Sequence, residues 1–322
     1  MAKKIAYPGK DHGSFEREWQ LHKNCSEWWY ATGTLDSGGD LYSFQFTLIR
    51  ARAAFLRPYI LMLALTDFQT QEHHYYQNFD FIGKSVTAGE TSVSFGSTAK
   101  AEKTHKGIRL TADGGTFGYD ILLDYGKGAV WNCDNGYLKM GVDKPGQTTI
   151  YYSYTNMPVT GSITVEGQKS EVTGKGWFDK QGGPYKLIKP ETHWEWFSLR
   201  FFDEEEAMLF SFPQDDYRDG TYIDKAGKAR RLNDYTIEPL EFVKPDGKTT
   251  YSCKWEITLP GFKDEKYFVT PMMKGQMNIG YYELLADICD EQGVKKGICF
   301  VELLPGARNS SFANLLFSKT KT

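Results

Sequence analysis

The sequence has almost no excess of charge of either sign. Its 322 residues include 38 Lys plus Arg and 41 Asp plus Glu, so the formal net charge is −3. A protein that binds nucleic acid by neutralising phosphates normally carries a large excess of basic residues. The composition therefore argues against nucleic acid as a partner.

Long apolar runs are also missing. The most apolar stretch, residues 59–66, is about half the length that a membrane span requires. Residues 1–15 are polar and charged, unlike a signal peptide. We therefore expect a cytoplasmic protein without a membrane span, while peripheral contact with a membrane and the oligomeric state stay open.

Cysteine is scarce and the common cofactor motifs are absent. The five cysteines form no CxxC pair, so the sequence predicts neither a disulfide framework nor a zinc ribbon. It contains no P-loop, no GxGxxG, no GxSxG and no HExxH motif. His73 and His74 are adjacent, but neighbours on a strand point to opposite faces and cannot easily share a metal. We expect no cofactor and no metal.

Aromatic residues, in contrast, make up 15% of the chain. In residues 41–49, apolar side chains occupy every second position, which predicts a half-buried strand. Glycine-rich turns separate several such segments, and helical periodicity is almost absent. We therefore predict an all-β protein of antiparallel strands. Further strand candidates are residues 28–35, 121–125, 148–154, 162–165, 196–202, 208–212 and 255–259.

A weak internal repeat divides the chain in two. Residues 27–35 and 193–201 are both aromatic-led strand candidates, and each precedes a second apolar strand. We interpret residues 181–184, Gln-Gly-Gly-Pro, as the connector between the halves. The sequence thus predicts two antiparallel β-barrel domains in tandem, residues 1–186 and 187–322, each large enough to close around an apolar interior.

The first chemical signal is an acid close to an indole. In an extended backbone Trp177 and Asp179 lie on the same face, and the glycines on either side allow another segment to approach closely. Inside a closed apolar interior, burial would keep the carboxyl protonated as a proton donor, and the ring could stabilise a carbocation. The alternative is that Asp179 caps a glycine-rich turn and Trp177 belongs to the core.

The strand that begins at residue 193 gives a second candidate. If the face with His193 and Glu195 points inward, these residues form an acid/base pair. If the face with Trp194 and Trp196 points inward, the rings line an apolar pocket. A surface ion pair above core tryptophans is the alternative.

Further candidates for a pocket wall lie in the first half of the chain. They are aromatic strand residues, which equally fit an ordinary core. The candidates are Trp28, Trp29, Tyr30, Tyr152 and Tyr154.

The order of these motifs along the chain matches a known family. Over roughly residues 20–305 the sequence resembles the carotenoid 1,2-hydratase (hydroxyneurosporene synthase) and AttH-like superfamily. The segments that carry the resemblance are 26–30 (SEWWY), 42–50 (YSFQFTLIR), 63–67 (LALTD), 151–161 (YYSYTNMPVTG), 172–179 (VTGKGWFD), 194–199, 281–283 and 300–303.

The resemblance implies two lipocalin-like β-barrel domains, a largely apolar pocket and no cofactor. The superfamily includes hydratases that add water to isoprenoid double bonds, a fungal phytoalexin hydratase, and fungal pericyclases that fold polyenes for Diels–Alder closure. By the same resemblance, Asp179 and Trp177 match positions thought to be catalytic in the hydratases, and Tyr152 lies near another functional aromatic. Ile150 stands where a carotenoid hydratase would carry a histidine.

Together these observations predict a lyase or isomerase of the hydratase/cyclase type that acts on a hydrophobic polyene or terpenoid without a cofactor. Asp179 is the predicted general acid, and exclusion of water with fixed aromatic faces would lower the barrier to a carbocation. Two alternatives stay open: a pericyclase that works by shape alone, and a carrier that binds apolar ligands unchanged. The predicted cation-stabilising walls are Trp177, Tyr152, Trp196 and either Trp28 or Trp29.

Overall fold

A computed structural model describes residues 4–52, 58–141, 146–185, 193–245, 247, 249–278 and 281–304. The chain divides into two compact units, residues 1–186 and 187–322, called here the N-terminal and C-terminal units. The one α-helix in the described ranges, α1, is Phe15–Glu18. No described helix has the length and apolarity that a membrane crossing needs.

The N-terminal unit contains one antiparallel sheet of thirteen strands within the described residues. Their order is β4-β3-β2-β1-β13-β12-β9-β8-β7-β6-β5, and β10 and β11 both pair with β12. The strands are β1 (Ser26–Ser37), β2 (Asp40–Arg50), β3 (Tyr59–Asp67), β4 (Glu72–Asp80), β5 (Val86–Ala88), β6 (Ser92–Phe95), β7 (Ala99–Lys103), β8 (Gly107–Asp113), β9 (Phe117–Asp124), β10 (Ala129–Trp131), β11 (Tyr137–Lys139), β12 (Thr148–Val165) and β13 (Gln168–Gly183).

The C-terminal unit contains a second antiparallel sheet, with ten strands in the described ranges. Their order is β17-β16-β15-β14-β23-β22-β20-β19-β18, and β21 pairs with β22. A short 3-10 helix, Pro213–Asp215, follows β15. The strands are β14 (Trp194–Phe201), β15 (Glu206–Phe212), β16 (Tyr217–Ile223), β17 (Ala229–Leu232), β18 (Thr236–Val243), β19 (Tyr251–Leu259), β20 (Lys263–Pro271), β21 (Met277–Asn278), β22 (Tyr281–Cys289) and β23 (Lys295–Leu304).

The two sheets share a pattern of connection. In each, the first strand pairs with both the second and the last, so β1 lies between β2 and β13, and β14 lies between β15 and β23. Both sheets curl, one nearly into a closed barrel and the other into a half-barrel. The predicted all-β fold with two lipocalin-like antiparallel barrels in tandem is confirmed.

Alternation along the strands places one face of each sheet in an apolar core. In the N-terminal unit this face carries Trp29 of β1, Tyr152 of β12 and Phe178 of β13. In the C-terminal unit it carries Phe197 and Leu199 of β14. Burial of each such side chain stabilises the fold by about 1.5–3 kcal/mol, so the inward face of each strand is fixed by its apolar residues.

The predicted connector at residues 181–184 is wrong for its first three residues. β13 continues through Gly183 and pairs with both β1 and β12. A Cβ on Gly182 would lie 2.6 Å from Cγ of Glu27, and a Cβ on Gly183 would lie 2.0 Å from the carbonyl oxygen of Thr148. These glycines therefore serve close packing between strands, where a side chain would not fit, and they do not form a turn.

Candidate active site

Asp179 lies within β13, along a segment whose two faces are both buried. The indole Nε1 of Trp177 donates a hydrogen bond to Oδ1 of Asp179 at 2.6 Å, so the two side chains share a face, as an extended backbone predicts. Asp179 is only 4% exposed. Because it belongs to the body of a strand, the alternative that it caps a turn is wrong.

Two side chains of β12 also donate to this carboxylate. Ser153, directly opposite Asp179 in the strand register, donates to Oδ1 at 2.5 Å. The hydroxyl of Tyr151 donates to Oδ2 at 2.8 Å. Asn132 lies behind Ser153 and donates from Nδ2 to Oγ at 2.7 Å. All these groups are buried, so the hydrogen bonds form away from bulk water.

The two carboxylate oxygens of Asp179 differ in their hydrogen-bond partners. The N–H of Trp177 can only donate, and Ser153 accepts from Asn132, so its own hydroxyl hydrogen points to Asp179. Oδ1 is thus the acceptor of two hydrogen bonds. The hydroxyl of Tyr151, in contrast, can donate or accept, so Oδ2 is the oxygen on which a proton can reside.

Asp179 does not face the apolar core of its own sheet. Its neighbour Phe178 occupies the inward position, together with core residues of β12. Successive side chains of a strand point to opposite faces, so Trp177 and Asp179 point the other way. The closed barrel interior that the sequence offered as a setting for this pair is therefore not where the pair lies, although burial still shields the carboxylate.

The aromatic residues predicted for a pocket wall divide between the two faces. Tyr30 is directly opposite Asp179 in the register, and Trp28 lies two residues before it on the same face. Three other predicted wall residues belong to the apolar core on the opposite face. These are Trp29, Tyr152 and Tyr154.

The remaining predicted residues belong to the C-terminal unit. Glu195, on the inward face of β14, is 7% exposed and accepts a hydrogen bond from Ser252 at 2.6 Å. Burial raises the pKa of Glu195, and Ser252 and Trp255 oppose that shift. Burial lowers the pKa of the half-buried His193. The alternative that His193 and Glu195 form an ion pair on the surface is therefore wrong. Trp196 lies buried on the opposite face of β14.

A second buried charged cluster surrounds Glu27 of β1. Lys180 Nζ lies 3.0 Å from Oε2 of Glu27, and Arg50 Nη1 lies 3.2 Å from Oε1. The backbone N–H of His22 donates to Oε1 at 2.5 Å, and its Nε2 lies 2.8 Å from Glu18. Burial alone would raise the pKa of Glu27, but Lys180, His22 and Arg50 together lower it to about 2. This cluster ties the N-terminal segment to β1, β2 and β13.

The sequence prediction missed three residues of the Asp179 site: Tyr151, Ser153 and Asn132. Tyr151 and Ser153 alternate with the predicted Tyr152 and lie in a motif that the sequence displays. Period-two alternation could separate the two faces but could not show which of them meets Asp179. No sequence signal marks Asn132. Within the described ranges, no group of three His, Cys, Asp or Glu side chains is placed to hold a metal ion.

Comparison with known proteins gives matches over most of the chain. A family model described as AttH-like matches residues 7–306. A protein assigned as AttH from Nitrosomonas europaea has a similar structure, with a TM-score of 0.77 and 21% identity over 94% of this chain and 96% of that one. Kievitone hydratase from Nectria haematococca gives 0.73 and 19% over 97% of each chain. CghA gives 0.54 and 9% over 88% of each. Among curated proteins, none matches significantly.

Proposed function

Because this chain belongs to the AttH-like family, we propose that it is a cofactor-independent enzyme of the hydratase/cyclase type that acts on a hydrophobic polyene or terpenoid. The observation that carries the proposal is the buried Asp179 carboxyl group: its Oδ1 accepts from Trp177 and Ser153, and its Oδ2 lies beside the Tyr151 hydroxyl, which can accept a hydrogen bond when Oδ2 is protonated. The shared fold with kievitone hydratase, a hydratase by its name, supports the reaction class. Asp179 is the proposed general acid.

In the first step, the proton on Oδ2 of Asp179 moves to one carbon of a substrate double bond. The carboxyl O–H bond breaks, the π electrons form a new C–H bond, and the neighbouring carbon becomes a cation. The carboxylate left behind is stabilised by the N–H of Trp177 and the hydroxyl of Ser153. Because these donors are in place before the charge develops, they lower the barrier.

The second step decides between the two reaction types. In hydration, a water oxygen adds to the cation and a proton of that water returns to Asp179, which restores the acid. In cyclisation, a second double bond attacks the cation, and the proton that the product loses returns to the same carboxylate. The rings on the Asp179 face, Trp177, Trp28 and Tyr30, are the proposed stabilisers of the cation.

The substitution Asp179→Asn tests the acid role. The amide oxygen can still accept from Trp177 and Ser153, but the side chain has no acidic proton. We expect turnover to fall by about 10²–10⁴-fold, the usual contribution of a general acid, while the fold is retained. Asp120→Asn is a matched control, because Asp120 is half exposed in the same unit and pairs with Arg109.

The assay is incubation of a panel of polyenes and terpenoids in water enriched in oxygen-18, followed by mass spectrometry. A gain of label shows hydration, and an unlabelled isomer shows cyclisation. Isomer formation at an unchanged rate in Asp179→Asn would overturn the acid role in favour of a pericyclase. Recovery of every compound unchanged would indicate a carrier.

A further inference from the structure

A cavity opens into the sheet of the C-terminal unit. Its volume is about 440 Å³, and its described lining comes entirely from this unit. Small-molecule sites typically occupy about 300–1,000 Å³, so the cavity is large enough for a ligand. Much of its wall is aromatic or aliphatic, including Phe212, Tyr235, Ile237, Tyr251 and Leu303.

Glu195 is a buried polar group in this wall. Its direct partners in the strand register, Ser211 of β15 and Leu303 of β23, also line the cavity. Ser252 of β19, another lining residue, donates to Oε1 of Glu195. Because Ser252 donates to Oε1, the proton of the neutral carboxyl group is assigned to Oε2. Burial raises the pKa of Glu195, which favours the protonated form, and within the described ranges no Lys or Arg forms an ion pair with it.

The other polar groups around the cavity leave it without a strong net charge. Burial lowers the pKa of His193, so its imidazole is neutral at neutral pH. Asp216 and Arg218 lie 3.8 Å apart and offset each other. A buried charged ligand would find no counter-charge here that is not already paired, and charge burial without a partner is costly. The titratable or charged lining residues are His193, Glu195, Asp216, Tyr217, Arg218, Tyr235 and Tyr251.

We propose that this cavity binds a neutral, largely apolar molecule whose carbonyl, ether or hydroxyl oxygen accepts a hydrogen bond from Glu195. The apolar wall would bury the body of the ligand, and the carboxyl group would fix the position of its oxygen. This site belongs to the C-terminal unit, whereas the proposed catalytic Asp179 belongs to the N-terminal unit. The proposal therefore stands or falls independently of the proposed function.

Isothermal titration calorimetry with β-ionone, a neutral cyclic ketone, tests the site. We expect one molecule to bind per chain. Glu195→Leu removes the donor and should weaken binding roughly 2- to 12-fold, which corresponds to the net value of one hydrogen bond. Ser211→Phe places a ring in the cavity and should weaken binding more than 10-fold. Glu256→Leu is the matched control, since Glu256 lies on β19 outside the lining and pairs with Lys266.

Thermal unfolding of each variant checks that it is folded. A second binding measurement uses the unaltered protein and compares two ligands. The hydrocarbon with the carbon skeleton of β-ionone should bind the unaltered protein roughly 2- to 12-fold more weakly than the ketone, because it cannot accept a hydrogen bond. Absence of β-ionone binding, or equal binding of ketone and hydrocarbon, would overturn the proposal. So would unchanged affinity in a folded Ser211→Phe variant, which would place the ketone elsewhere.

Discussion

Each unit buries a glutamate on the inward face of its first strand, and the two glutamates have opposite surroundings. Glu27 contacts Lys180 and Arg50, and with His22 these hold its pKa at about 2. Glu195 has Ser252 and a cavity beside it, and burial raises its pKa. One glutamate is an ionised structural group, and the other is suited to hold a proton.

The contrast shows that the position of an acidic residue next to tryptophan in the sequence does not by itself define the chemical role of that residue. Both glutamates occur in such a sequence, at Glu27-Trp28 and Trp194-Glu195. The groups that decide their charge come from strands far along the chain: Lys180 is 153 residues from Glu27, and Ser252 is 57 residues from Glu195. The role of each acid is therefore fixed by strand pairing and sheet curvature.

The largest effect is expected from Glu27→Gln. Removing this charge leaves Lys180 and Arg50 buried without their counter-ion, and breaking a buried pair in this way typically costs about 3–5 kcal/mol. Urea unfolding measures the loss. Glu195→Gln is the matched control, because a side chain that favours the protonated form loses little when it becomes an amide. Equal losses in the two variants would remove the contrast between the units.

Acid should reveal the same cluster with a somewhat smaller effect. The pKa of Glu27 falls from an ordinary 4.5 to about 2 on folding, so its contribution is fully present above pH 4.5 and is lost as the pH falls toward 2. The shift corresponds to stability on the order of 3 kcal/mol. The difference in free energy of unfolding between wild type and Glu27→Gln should shrink over this range. A difference independent of pH would contradict the assignment.

The smallest effect is expected for Glu195, and it has the opposite sign. Its folded pKa is raised, so stability is lost as the pH rises from its ordinary value of 4.5 through the raised folded value. Glu195→Gln lacks this loss and should gain stability relative to wild type as the pH rises above 4.5. Chemical unfolding at several pH values measures the gain, and a relative loss toward high pH would exclude a raised pKa.

Much of the fold could be predicted from the sequence. Period-two alternation and glycine-rich turns indicate antiparallel strands because a half-buried sheet requires that pattern. The ordered motifs identified the superfamily, and the family match over residues 7–306 confirms that identification. The prediction of a connector at residues 181–184 failed because glycine occurs both in turns and where strands pack closely. Only the strand pairing of Gly182 and Gly183 shows that they serve close packing.

The candidate site could be predicted only in part. Strand geometry alone places Trp177 and Asp179 on one face. The hydroxyl donors Tyr151 and Ser153 could not be assigned, because a shift of one residue in the register of β12 would present Tyr152 and Tyr154 to Asp179 instead. That register depends on contacts along the whole strand, which no local motif contains.

Carbon-13 NMR titration of the glutamate carboxyl groups tests most directly whether distant partners set the charge of these two acids. Glu27→Gln and Glu195→Gln assign the two resonances. We predict that Glu27 stays ionised as the pH is lowered toward 2, to the limit at which the protein remains folded, and that Glu195 takes up its proton above pH 4.5. Titration of both groups together near pH 4.5, or in the reverse order, would contradict the account.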